Sequence, residues 1–174
     1  TYGLGVPLIA VRGKHEGEDA AEKYYPPGLT FPVTAFLRVA EDSHPESNGV
    51  HHCVLELHDP LHATHISVGN RLVPLETDLT TPLAFFLGNP AFKAQDISTI
   101  GLLRPGGLTQ SKIKGMYMVE PYDPNKIPVV MVHGLWSSPT TWMEMFNDLR
   151  SYPEIRARYQ FWFYLYPTGQ PFWV

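Results

Sequence analysis

Two apolar runs joined by an amphipathic stretch constrain this chain more than anything else in it. "KIPVVMVHG", residues 126–134, is oily almost without interruption until it meets His133-Gly134. A continuous run of this kind is the pattern of a strand covered on both faces, since a half-exposed strand alternates. After it, Ser138 stands where a helix N-cap is wanted. Pro139 stands at the first helical position, where its missing N–H leaves nothing unsatisfied. Trp142, Met145, Phe146 and Leu149 then follow at i, i+3, i+4 and i+7, which puts them on one helical face, with Glu144, Asn147, Asp148 and Arg150 on the polar side. "YQFWFYLYP" (159–167) is the second apolar run. An apolar and aromatic run ended by proline fits a buried central strand better than a membrane-facing or base-stacking stripe. Strand, helix, strand in this order predicts a βαβ unit with a right-handed crossover.

The chain ahead of this unit reads as strands and turns. "LGVPLIAVR" (4–12) and "LTFPVTAFLRV" (29–39) are rich in Val, Leu, Phe and Thr. "CVLELHD" alternates, which predicts a half-buried strand with Cys53, Leu55 and Leu57 on one face and Val54, Glu56 and His58 on the other. Gly69-Asn70 in "HISVGNRLVPL" predicts a hairpin, because a two-residue turn with positive φ favours these residues. "TTPLAFFLGNP" predicts a short helix with Thr81 as cap, Pro82 at its first position and Gly88 at its end. "IGLLRPGG" and "KGMYMVEPYDP" are further strand candidates. The organisation expected is a β-rich antiparallel module over 1–112, followed by a strand-helix-strand segment over 113–174.

Composition narrows the function classes. Only 17% of the residues are charged and the net charge is −4, so no basic surface points to nucleic acid. With one cysteine, Cys53, the chain forms no internal disulfide and no cysteine-based zinc site. No apolar run approaches the roughly 18 residues of a membrane span. The first residue is Thr1 and the sequence stops on "YPTGQPFWV" directly after a strand pattern. Both ends read as cuts in a longer protein. Nothing in the sequence sets an oligomeric state.

Four local patterns invite a chemical reading and are better explained without one. His51, His52, His58, His62 and His65 crowd into "HHCVLELHDPLHATH", with Asp59 among them. Adjacent residues of a strand point to opposite faces, however, and no HExxH helix is present, so solvated strand and loop histidines are expected and no metal. Glu18-Asp19 and Glu41-Asp42 lie in polar loops. "RPGGLTQSK" (104–112) lacks the spacing of a phosphate-binding loop. Ser137 and Ser138 in "GLWSSP" do not sit in a Gly-x-Ser-x-Gly elbow.

"VVMVHGLWSSPTTW" is different. It resembles the junction between the third strand and the first helix of lipase- and esterase-like members of the α/β-hydrolase superfamily. "EPYDPNKIPVVMVHGLWSSP" and "RYQFWFYLYPTG" together are similar to bacterial members with an extra N-terminal region. The resemblance covers roughly residues 115–174. On His-Gly alone, an ordinary strand ending in a glycine turn reads the same way. The capped helix and the second apolar strand favour the family reading.

The resemblance implies an α/β fold in which 113–174 open an α/β-hydrolase parallel sheet, truncated at Val174. It implies a serine hydrolase acting on carboxylic esters, with a small-molecule or lipid-like ester as substrate and no cofactor. The backbone N–H of Leu135 becomes one donor of an oxyanion hole, with His133 and Gly134 shaping the loop and Gly134 keeping a Cβ out of the substrate's way. In that family's chain order the acid and histidine follow the nucleophile, so all three are expected beyond Val174, and this chain alone is expected to be inactive. Extra N-terminal regions of this kind look like those of exported bacterial proteins, which implies a cell-envelope or secreted location. The competing reading is a non-catalytic binding or surface protein on the same scaffold.

Overall fold

The computed structural model describes residues 3–13, 20–39, 52–89, 115–134 and 139–166 of the 174. By internal contacts the chain divides into two compact units, 1–10 with 32–82, and 11–31 with 83–174. The boundary expected at 112–113, the strand candidate "IGLLRPGG" and the "RPGGLTQSK" loop lie outside the described residues.

In the first unit, β1 (Val6–Val11), β2 (Thr30–Val39) and β3 (Cys53–His58) form a sheet in that order, and β1 and β2 each run one or two residues past the unit's boundary. β2 and β3 are antiparallel, with Ala35 opposite Leu57, Leu37 opposite Leu55 and Val39 opposite Cys53. Opposed residues share a face. The alternation of β3 is therefore real, but it faces the other way from a buried apolar row. Leu37, Val39, Leu55 and Leu57 are each more than half exposed, while Glu56 and His58 are half-buried on the opposite face. The polar groups of that face satisfy one another at partly exposed positions, while Val54 beside them is itself about half exposed.

β4 (His65–Val68) and β5 (Arg71–Pro74) make the expected hairpin, with Gly69 at φ +55° in the turn. The segment before β1 bridges to the end of β5. Leu4 N–H donates to the Pro74 carbonyl at 2.8 Å and Glu76 N–H donates to the Leu4 carbonyl at 2.9 Å. A side chain at Gly3 would collide with the Leu75–Glu76 backbone there. α1 (Thr80–Gly88) follows. Its cap is Asp78, whose Oδ1 accepts from the N–H groups of Thr80 and Thr81, and not Thr81 as the sequence suggests.

The second unit holds a three-stranded sheet in the order β6 (Gly115–Met118), β8 (Tyr159–Leu165), β7 (Ile127–Val132). A 3-10 turn over Pro139–Trp142, α2 (Met143–Ser151) and α3 (Pro153–Arg158) connect β7 to β8. Pro153 accounts for the two-helix connection. It pushes Tyr152 to an extended backbone (φ −85°, ψ 116°), which ends α2, and it opens α3 at a position where no N–H is needed.

This sheet corrects the expected fold class. The chain is strand-rich, and β2–β3, β4–β5 and β6–β8 are all antiparallel. β7–β8 is parallel, so its sheet is mixed and is not the parallel sheet of an α/β hydrolase. Connection length supplies the reason. Parallel neighbours need a crossover of about a dozen residues or more. The α2–α3 connection is long enough for that, but the short 119–126 link reverses the chain, so β6 runs against β7 and β8.

One side of the sheet carries the core. Phe161, Phe163 and Leu165 alternate along β8 and are buried with Tyr117, Val119, Met131, Met143, Phe146, Leu29, Leu83 and Phe86. Phe146 meets Phe161 and Phe163 edge-on at centroid distances of 5.4 and 5.5 Å, and Tyr117 stacks on Phe163 at 5.6 Å. The buried stripe of α2 is rotated from the one expected, with Met143, Phe146 and Arg150 inside and Met145 41% exposed. Arg150 is tolerated there because its guanidinium lies 5.0 Å from the Phe146 ring centroid, donates to Asn147 Oδ1 and sits 3.8 Å from Glu120. β7 is not covered on both faces either: Val130 and Val132 are about half exposed, while Met131 is buried.

Phe146→Ala should destabilise the protein by about 3–5 kcal/mol, as for a fully buried aromatic. Met145→Ala, one residue away, should change stability by no more than about 0.5 kcal/mol. Denaturant unfolding followed by tryptophan fluorescence separates the two.

Candidate functional site

β7 and β8 run in the same direction, so both end at one edge of their sheet. Their opposite ends are fixed by Gln160, which is buried in β8. Its Nε2 donates to the carbonyls of Asp123 (2.9 Å) and Lys126 (3.1 Å), and its Oε1 accepts from Asp123 N–H at 3.3 Å. Asp123 Oδ1 in turn accepts from Asn125 N–H at 2.9 Å. The turn into β7 is thus tied to the strand beside it. The register follows, with Ile127 beside Tyr159 and Val132 beside Tyr164.

That register delivers His133 and Tyr166 to the same place. His133 is only 2% exposed. Its ring stacks on Tyr166, with centroids 4.5 Å apart and planes 22° from parallel. Tyr166 Oη donates to the His133 carbonyl at 2.7 Å. The Tyr166 N–H points at His133 Nε2 at 3.5 Å, and His133 Nδ1 lies 3.2 Å from the Gly134 carbonyl. These partners assign the proton to Nδ1, because Nε2 faces a donor and Nδ1 faces an acceptor. Tyr164 stacks on Tyr166 at 5.7 Å and extends the aromatic row along the edge.

The histidine is therefore locked among backbone groups and leaves Gly134 at the rim. Among the described residues, a Cβ built on Gly134 would meet nothing within 4 Å. A glycine here keeps its peptide approachable. Of the sequence-derived site, His133 and Gly134 sit together at this edge. Leu135, Ser137 and Ser138 lie outside the described residues. Tyr166 and Gln160 belong to no motif, and sequence reasoning misses both. Tyr166 is the residue directly after β8, just as His133 directly follows β7. Parallel strands of matched length bring such residues to one edge, and that signal could have found it.

A second polar cluster lies in the first unit. Arg38 Nε and Nη2 donate to the two carboxylate oxygens of Glu56 at 2.6 and 3.1 Å, His58 Nε2 lies 2.9 Å from Glu56 Oε2, and Arg38 Nη1 donates to the Ser67 carbonyl at 3.1 Å. This network joins β2 and β3 to the β4–β5 hairpin. The hydrogen bond to Arg38, then that to His58, lowers the Glu56 carboxyl to about 2, and the same bond raises Arg38 above its usual value. The remaining histidines scatter: His62 pairs with Asp59 at 2.8 Å, His65 Nδ1 lies 3.0 Å from Thr64 Oγ1, and His51 is outside the described residues. Among the described residues no group of three or more His, Cys, Asp or Glu is placed to hold a metal ion. No helix among them is long and apolar enough to cross a membrane.

Comparison with protein-family models, with curated proteins and with solved structures yields no match to this chain.

The Glu56 network carries a pH signature. A carboxyl whose value is lowered on folding adds stability above its ordinary value of 4.5 and loses it as the pH falls through about 2. The stability difference between the wild type and Glu56→Gln should therefore be full above pH 4.5 and shrink between pH 4.5 and about 2. Urea unfolding of both proteins across this range checks it. A difference that stays constant with pH would place the stabilisation elsewhere.

Proposed function

We propose that this chain supplies the oxyanion-stabilising loop of a serine hydrolase acting on carboxylic esters, small or lipid-like. The observation that carries the reading is the buried His133, held at the carboxyl end of a parallel strand pair with Gly134 open beside it. The carboxyl ends of parallel strands are where ligands enter open sheets that contain them. The resemblance of "VVMVHGLWSSPTTW" to lipases and esterases points to the same edge.

In this reading a serine outside the sequence attacks the ester carbonyl and gives its proton to a general base. Negative charge then develops on the carbonyl oxygen. The Leu135 N–H donates to that oxygen, and a second donor comes from the residue after the nucleophile. Collapse expels the alcohol, which takes the proton from the base, and water then releases the acyl group by the same steps. The part played by this chain is electrostatic and needs no titrating side chain. His133 orients the loop and is not the general base. Its Nε2 faces the Tyr166 amide and its Nδ1 faces the Gly134 carbonyl, so neither nitrogen is presented to a nucleophile.

The 174-residue chain by itself, lacking a serine elbow, should not hydrolyse p-nitrophenyl esters above a buffer blank. The natural protein that contains it should do so and should be labelled by a fluorophosphonate. In that protein, a backbone ester replacing the Leu135 amide should lower kcat about 100- to 1,000-fold, whereas Leu135→Ala should keep most activity. An ester variant with wild-type turnover would remove Leu135 as a donor. Absence of both labelling and turnover would leave a binding protein.

A further inference from the structure

We propose that the leucine face of the β2–β3 sheet is a homodimer interface, on which a second copy of this chain packs sheet against sheet. This surface belongs to the first unit, whereas His133 and Gly134 belong to the second, and it carries no part of the hydrolase reading.

Cross-strand pairs build the face. Val39 lies opposite Cys53, Leu37 opposite Leu55 and Ala35 opposite Leu57, so these six residues share one side of the sheet. Leu37, Val39, Leu55 and Leu57 are 56–65% exposed, and Cys53 is exposed beside them. Arg38, Glu56 and His58 occupy the other side, and Arg38 Nη1 ties that side to the β4–β5 hairpin through the Ser67 carbonyl. The apolar side is the one left in water. A sheet with one apolar face is stable when another layer lies against that face.

Charge and area select the occupant. None of the six side chains is charged, so the face itself offers nothing to steer an acidic or a basic partner. An anionic membrane surface would want lysine or arginine among the apolar residues, and Arg38, the cation of these paired strands, is held by Glu56 on the opposite side. A two-fold interface sets a stricter condition. The patch meets itself, so a charge near the axis would meet its like. An uncharged face satisfies that condition. The four exposed side chains present about 400 Å² of apolar surface, the size of patch that is often functional on a monomer. Protein interfaces are about 60% apolar, so a patch of this size implies roughly 650 Å² per partner and about 1,300 Å² in all, which falls within the size of specific complexes at its lower end. Leu37 and Leu55 form the middle row of the face, between the Val39–Cys53 and Ala35–Leu57 pairs. The two-fold axis therefore passes close to them, with the two sheets about 10 Å apart.

Sedimentation equilibrium of the natural protein should show monomer and dimer with a dissociation constant of about 1–100 μM, as for a small interface. Leu55→Glu and Leu55→Lys should each raise that constant at least about 100-fold, because like charges then meet in an apolar contact. Mixing the two variants should restore dimers of one Glu and one Lys protein, which only a face that meets its own copy allows. Leu55 is exposed, so both variants should unfold at the wild-type temperature when measured below the dissociation constant. Leu72→Glu serves as the control, since Leu72 is 70% exposed on the β4–β5 hairpin and outside the face, and it should leave association unchanged. In the wild type, alkylation of Cys53, read on its peptide, should slow as the concentration rises through the dissociation constant. A wild type that stays monomeric at about 500 μM, well above the range expected of such an interface, would overturn the proposal. Dimers that survive Leu55→Glu with Cys53 alkylation unaltered would place the contact elsewhere and overturn it too. Variants that remain monomeric when mixed would show that Leu55 does not meet its own copy, and the two-fold interface would fall.

Discussion

Everything in the second unit depends on β8 lying between its two neighbours. Both β6 and β7 hydrogen-bond to it, the first antiparallel and the second parallel. Along one of its faces Phe161, Phe163 and Leu165 carry the core against which α2 packs Phe146. At its start Gln160 fixes the turn into β7, and just past its end Tyr166 meets His133. A one-residue slip of β8 would turn its aromatic residues to the wrong face and carry Gln160 and Tyr166 away from their partners. The register is therefore over-determined, by apolar burial in the middle of the strand and by polar contacts at both ends.

The first unit solves a different problem. On one face of its sheet Arg38, Glu56, His58 and the Ser67 carbonyl satisfy one another at partly exposed positions, and the other face leaves Leu37, Val39, Leu55 and Leu57 exposed. A charge-assisted network works in a half-buried setting only if each member has its partners, and here both oxygens of Glu56 and both ends of the Arg38 fork are engaged.

Much of this is legible from residue order. The strand positions of 6–11, 30–39, 53–58 and 159–165, the Gly69-Asn70 hairpin and the short helix near 80–88 follow from alternation, apolar runs and turn chemistry. Facing is not legible. Leu55 and Leu57 read as core because periodicity says only which residues share a face, and the partners that decide which face is inside lie on other strands. The expected parallel α/β sheet fails for a related reason, since strand direction is set by connection lengths that apolar patterning ignores. The stripe of α2 departs from expectation because a buried Arg150 looks polar until Asn147 and the Phe146 ring are seen beside it. His133 and Gly134 stand out in the sequence as the end of an apolar run. The clamp that gives them meaning comes from Tyr166, thirty-three residues away along the chain, and only the pairing of β7 with β8 reveals it.

The proposed function of this chain comes down to one requirement: the N–H that follows Gly134 must face the position where an ester oxygen becomes negative. The most direct measurement is a crystal structure of the natural protein covalently modified by an alkyl phosphonate, whose phosphoryl oxygen marks that position. That oxygen is expected about 2.7–3.1 Å from the Leu135 nitrogen, with the Tyr166 hydroxyl still on the His133 carbonyl. A phosphoryl oxygen held by other donors, with the Leu135 N–H turned away from it, would contradict the proposal.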